Sequence, residues 1–75
     1  MLLRNRKTRV ELVYSFKKFK EVFRDDIQGA IKSYKQTFQN KPYFKNEDLD
    51  STFYMDLRYN FNNFSNSAWY IERIY

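Results

Sequence analysis

Residues 53–75 read Phe53-Tyr54-Met55-Asp56-Leu57-Arg58-Tyr59-Asn60-Phe61-Asn62-Asn63-Phe64-Ser65-Asn66-Ser67-Ala68-Trp69-Tyr70-Ile71-Glu72-Arg73-Ile74-Tyr75. The fold class turns on this stretch. From Phe53 to Phe61 large apolar side chains sit at every second position, the signature of a half-buried strand. Trp69, Tyr70, Ile71, Ile74 and Tyr75 are strand formers. The polar run Asn62–Ser67 between them reads as a turn, so the segment is expected to form a β-hairpin. A helix competes for the same residues, because Phe53, Leu57, Phe61, Phe64, Ala68 and Ile71 recur at spacings of 4, 4, 3, 4 and 3. The Asn and Ser cluster at 60–67 counts against an uninterrupted helix, since these side chains compete for backbone hydrogen bonds. The hairpin is therefore favoured, with an all-α helical hairpin as the alternative.

Upstream, Leu12, Phe16, Phe19, Phe23, Ile27, Ala30, Tyr34 and Phe38 are spaced by 4, 3, 4, 4, 3, 4 and 4. That is the apolar stripe of a long amphipathic helix over about 9–39. Thr8 is its expected N-cap, with Glu11 completing a capping box. Gly29 is its weak point, the expected mark of a kink, a close helix crossing, or a break into two helices after Asp25-Asp26. Val10, Leu12, Tyr14 and Phe16 also alternate, which leaves an early strand as a lesser reading. Asn40-Lys41-Pro42 ends the element, because proline disfavours helix in the residue before it. The predicted fold is thus α+β: one long N-terminal helix on a C-terminal β-hairpin, in a single domain over 1–75.

The 75 residues contain no cysteine and no histidine. Disulfides, thiolate zinc sites, imidazole bases and histidine ligands are thereby excluded. One glycine and one proline leave no phosphate-cradling loop. Asp25-Asp26 is an adjacent acidic pair of the kind that serves acid–base or metal chemistry. Neighbours on a helix diverge by about 100°, so the pair is expected to bind cations of Lys18, Lys32 or the N-terminal arm. Asn46, Asp48 and Asp50 resemble alternating calcium ligands, but the loop glycine and the bidentate Glu are missing. A turn with an N-cap is the expected outcome. The chain is read as non-enzymatic, without metal or cofactor.

Charge is unevenly spread. The net charge is +5, yet residues 1–45 hold twelve Lys and Arg against four Asp and Glu, while 46–75 hold two against five. Such asymmetry points to a polyanionic partner. Arg4, Arg6, Lys7 and Arg9 lie in a segment without periodicity, so residues 1–8 are expected to be a flexible basic arm. Lys17, Lys20, Arg24, Lys32 and Lys35 extend the cationic surface along the helix. Together these nine residues are the expected nucleic-acid-binding set, because each neutralised phosphate releases a counterion. Tyr54, Trp69, Tyr70 and Tyr75 are the candidate rings for base stacking or for a protein interface.

Aromatic residues make up 21% of the chain, which excludes ordinary disorder. So many rings are hard to hide in one small core, so a homodimer or another protein partner is expected to share them. No apolar stretch reaches the length of a signal or a membrane span, so a cytoplasmic protein without membrane contact is expected. Abundant Phe, Tyr, Ile, Asn and Lys suggest an AT-rich genome, such as that of a phage or a low-GC bacterium. Three functions follow from these features: nucleic-acid binding (RNA or DNA), docking on an acidic protein surface as an adaptor or inhibitor, or service as a structural subunit.

Overall fold

A computed structural model, which describes residues 1–75, places a three-stranded antiparallel sheet against four helices. The strands are β1 (Leu2–Asn5), β2 (Glu11–Val13) and β3 (Trp69–Arg73), and β1 lies in the middle. The helices are α1 (Phe16–Val22), α2 (Arg24–Phe38), α3 (Leu49–Met55) and α4 (Leu57–Phe64). α+β therefore holds, but with several helices in place of one. No helix is long and apolar enough to cross a membrane.

The N-terminal residues are the first correction. The segment expected as a flexible arm supplies the central strand. Leu3 is fully buried and sits opposite both Leu12 and Ile71, so all three face the helices. Leu2 and Arg4 alternate to the other face. The β1–β2 connection is closed by Asn5, whose Oδ1 accepts the Lys7 and Thr8 N–H groups at 3.0 Å each. This side-chain turn ends with Arg9 in the left-handed region, at φ 65°. Thr8 does not cap a helix. Its hydroxyl accepts the Val10 N–H within this turn.

The long helix is the second correction. Glu11 to Val13 runs as strand, and Ser15 caps α1 by accepting the Lys18 N–H at 3.1 Å. The break falls at Phe23 (φ −103°, ψ 24°) and not at Gly29. Phe23 N–H still reaches the Phe19 carbonyl, and its own carbonyl accepts from Ile27. The break is held by burial: the Phe23 ring stacks on Phe19 at 5.3 Å and meets Phe61 edge-on at 6.2 Å. Gly29 lies exposed in mid-helix, with open space where a Cβ would go. Asp25 and Asp26 sit in the first turn of α2, where their charge suits the helix dipole, and they form no ion pair. After α2, Pro42–Phe44 makes one 3₁₀ turn, and Phe44 packs on Phe38 at 5.1 Å.

The third correction is at 53–64. These residues are helical and not the first strand of a hairpin. Asp48 caps α3 by accepting the Asp50 and Ser51 N–H groups, as expected of that turn. α3 and α4 are separated at Asp56. Phe53, Leu57 and Phe61 are buried at helical spacing, together with Asn60. The two positions that strand alternation needs inside, Met55 and Tyr59, are 83% and 61% exposed. Strand character resumes only at Trp69, and β3 pairs with β1, 64 or more residues earlier, rather than with a neighbour in sequence.

Candidate functional site

The helices cover one face of the sheet. The other carries Leu2, Arg4, Glu11, Val13, Tyr70 and Glu72, none of them buried. Arg4 stands at the centre of this open face. Its guanidinium binds Glu72 through Nε (3.2 Å) and Nη2 (2.9 Å), binds Glu11, and donates from Nη1 to the Arg9 carbonyl at 2.8 Å. The Arg4 hydrogen bonds hold the Glu72 carboxyl below its usual range, and the Glu72 and Glu11 carboxylates raise the Arg4 pKa. Every nitrogen of the Arg4 fork is used within the protein. Arg4 therefore ties three strands together, and four of its five N–H donors are engaged within the protein.

The neighbouring turn is different. Arg6 and Arg9 lie with their guanidinium carbons 5.5 and 5.8 Å from the centre of the Tyr70 ring. Neither forms an ion pair with a carboxylate. Arg6 is further fixed by donating from Nη2 to the Asn62 carbonyl at 2.9 Å. Lys7 is exposed between them at the tip of the turn. The turn thus presents three cations, two of them oriented by one aromatic ring. Arg9 adds a second feature. A left-handed φ favours glycine, yet this position carries a long cationic side chain.

The remaining expected cations are dispersed. Lys17 and Lys20 are exposed on α1, and Arg24 and Lys32 are exposed on α2. Lys20 lies over the Phe16 ring at 4.6 Å. Lys35 pairs with Asp50 at 2.9 Å and so links α2 to α3. Of the nine cations, the structure brings Arg6 and Arg9 onto Tyr70, with Lys7 exposed in the turn between them, and commits Arg4 and Lys35 to ion pairs.

The other aromatic candidates separate likewise. Trp69 is half-buried and packs against the core, so it is not a free stacking surface. Tyr54 and Tyr75 line an apolar cleft of about 620 Å³ on a different part of the molecule. Met1, Phe16, Leu57 and Ile74 form its walls, with Arg58 and Asp56 among them. The partial burial of Tyr54 raises its hydroxyl pKa.

Asn62 was missed by sequence reasoning. Its side-chain amide bonds both backbone groups of Ile71, donating to the carbonyl at 2.8 Å and accepting from the N–H at 2.7 Å. Its own carbonyl receives Arg6. One residue therefore closes the outer edge of β3 and anchors the basic turn. In the sequence it is one of several asparagines in a polar run, and only the return of β3 beside α4 distinguishes it. Comparison with family models, curated proteins and solved structures finds no match for this chain.

Proposed function

We propose that this protein is a small non-enzymatic nucleic-acid-binding accessory or regulatory protein that grips phosphates with the β1–β2 turn. The observation that carries this reading is the pair of carboxylate-free guanidiniums, Arg6 and Arg9, set against Tyr70 with Lys7 beside them. Guanidinium forks match phosphate oxygens and also offer planes on which unpaired bases stack. The ring and the Asn62 carbonyl restrain the side chains before a ligand arrives, which lowers the ordering cost of binding. The strained backbone at Arg9 is accounted for by its side chain, since glycine would serve the turn alone. The net charge of +5 adds long-range attraction to any polyanion. An AT-rich phage or mobile-element genome fits the composition.

The test is fluorescence-anisotropy titration of single-stranded RNA, single-stranded DNA and duplex DNA at several salt concentrations. Micromolar binding with a steep salt slope is expected, and each cation removed from the turn lowers that slope by about 1. Arg9→Gly is the informative variant, because φ 65° suits glycine and the fold survives. It is expected to weaken binding to all sequences alike while leaving thermal stability near wild type. Absence of binding at low salt overturns the proposal.

That outcome moves the search to a protein partner. The apolar cleft favours this second reading, with Tyr54 and Met55 as exposed anchors and Arg58 facing an acidic surface. It is the arrangement an adaptor, an inhibitor or a structural subunit needs.

A further inference from the structure

The two edges of the sheet are not alike. On β3, residues alternate between pointing their backbone groups at β1 and pointing them away. The Arg6 N–H to Ala68 carbonyl bond, together with the Arg4–Tyr70 register, fixes Ala68 and Tyr70 as inward and Ile71 as outward. Ile71 is the outward residue that the Asn62 amide satisfies on both sides. That edge is closed to another strand.

β2 has no such cover. Its phase is fixed at both ends. Asn5 N–H donates to the Val10 carbonyl, and Met1 and Tyr14 exchange backbone bonds. In an antiparallel ladder such pairs alternate, so Val10, Leu12 and Tyr14 turn their backbone groups toward β1. Glu11 and Val13 turn theirs outward, and no side chain meets them. The apolar side chains here are also open: Val10 is 53% and Val13 75% exposed. The one charge on the edge is already neutralised, because Arg4 holds Glu11.

This edge is complementary to itself. Turned about a two-fold axis through Leu12, Glu11 of one copy lies opposite Val13 of the other. Both then exchange N–H···O=C bonds, which gives four across the seam. On the helix-covered side the same register sets Leu12 against Leu12 and Val10 against Tyr14, an apolar ladder of the kind that stabilises paired strands. We infer that β2 is the seam of a homodimer in which two copies pair antiparallel about Leu12 and merge their sheets into one of six strands. A like-for-like two-fold contact is the commonest way for small proteins to associate. An extended peptide from another protein fits the backbone equally but has no reason to match the Glu11–Val13 register.

The axis stands normal to the sheet, so both open faces point the same way. The two β1–β2 turns then lie at opposite ends of the seam, with their Arg9 Cα positions about 20 Å apart along the strands at roughly 3.3 Å per residue. The dimer does not depend on nucleic-acid binding, and it is tested without nucleic acid.

Sedimentation equilibrium over a wide concentration range is expected to give a mass rising from 9.4 kDa toward twice that value. In the same series, hydrogen exchange at the Glu11 and Val13 amides slows as concentration rises. Val13→Pro removes one outward N–H and none that bonds β1, so it is expected to keep the circular dichroism spectrum and to stay monomeric. The chain has no cysteine of its own, which makes Leu12→Cys a clean probe of register. On mild oxidation it is expected to form a disulfide dimer readily, whereas Thr8→Cys at the turn does not. A wild-type chain that stays monomeric throughout overturns the inference. So does a dimer whose Glu11 and Val13 amides exchange at the monomer rate, or one that Leu12→Cys cannot trap. If Val13→Pro fails to fold, the amide exchange and the Leu12→Cys cross-link decide the matter.

Discussion

Replacing Asn62 tests the closure of the β3 edge directly. Its amide makes two neutral hydrogen bonds, of 2.8 and 2.7 Å, to the backbone of the fully buried Ile71. Such bonds contribute about 0.5–1.5 kcal/mol each, so their joint loss costs about 1–3 kcal/mol. The two obvious variants fall at different points of that range. Asn62→Ala opens a space that water can enter, and water re-bonds the freed N–H and carbonyl, so the loss stays near the lower figure. Asn62→Leu fills the space with apolar atoms and leaves both groups unpaired, so the loss reaches or passes the upper figure. For a domain of this size each kcal/mol lowers Tm by about 4–8 °C. Asn62→Asp separates the two bonds. The introduced carboxylate accepts from the Ile71 N–H but faces the Ile71 carbonyl with no proton to donate. Protonation restores that donor, so the folded-state pKa of the new carboxyl lies above its unfolded value. The variant accordingly regains stability as pH falls through that raised pKa. Thermal and urea unfolding followed by far-UV circular dichroism, for all three variants and across pH, gives the full set. Equal losses for Ala and Leu, or a Leu variant within about 0.5 kcal/mol of wild type, would refute the edge-closing role.

Three other predictions rest on single residues. Gly29→Ala places a Cβ in open space within α2 and is expected to stabilise the protein by about 0.5–1 kcal/mol, read as a higher urea midpoint. Ser15→Ala removes the cap of α1 and is expected to cost about 1 kcal/mol by the same measurement. Glu72 is held below its ordinary value of 4.5 by Arg4, so its share of stability is present above that value and is lost as pH falls through the lowered folded value. Glu72→Gln is expected to flatten the acid limb of the stability–pH curve; an unchanged limb would show that Arg4 does not hold this carboxylate in the fold.

The ambiguity at 53–61 is physical. Phe53, Leu57 and Phe61 satisfy a period of two and a helical period alike, so the buried residues themselves cannot discriminate. The discriminating positions are Met55 and Tyr59, which the helix leaves exposed, and Asn60, which it buries. A buried asparagine reads as a turn residue until its partner is known. Here that partner is the Phe53 carbonyl, which accepts its Nδ2 at 3.0 Å and is freed where α3 ends. The 16–38 stripe was legible because Phe19, Phe23, Ile27, Ala30 and Tyr34 recur at helical spacing and are all buried. Its break was not, because Phe23 keeps both of its ladder bonds and sits in register. The basic residues near the N-terminus misled for a third reason. A central strand is recognised by apolar runs, but β1 needs only Leu3 inside, and Arg4 is neutralised by acids 7 and 68 residues away. Of the basic turn, the cations were legible singly. The convergence of Arg6 and Arg9 on Tyr70 depends on the same distant strand.

That distant strand also sets the order of assembly. Leu3 lies opposite Ile71, so the central strand is made 68 residues before its second neighbour. At 5–20 residues per second the interval is roughly 3–14 s, whereas a β-hairpin closes in about 1–10 μs. The β1–β2 ribbon, with its Arg4–Glu11 pair, is at most marginally stable alone and closes and reopens many times before β3 leaves the ribosome. Until then one flank of β1 is unpaired and Leu3 lacks its lid. A nascent chain of this protein therefore passes through a stage in which both sides of the ribbon are adhesive. The final step is the docking of five residues beside Asn62, which closes one of those sides and leaves the other open.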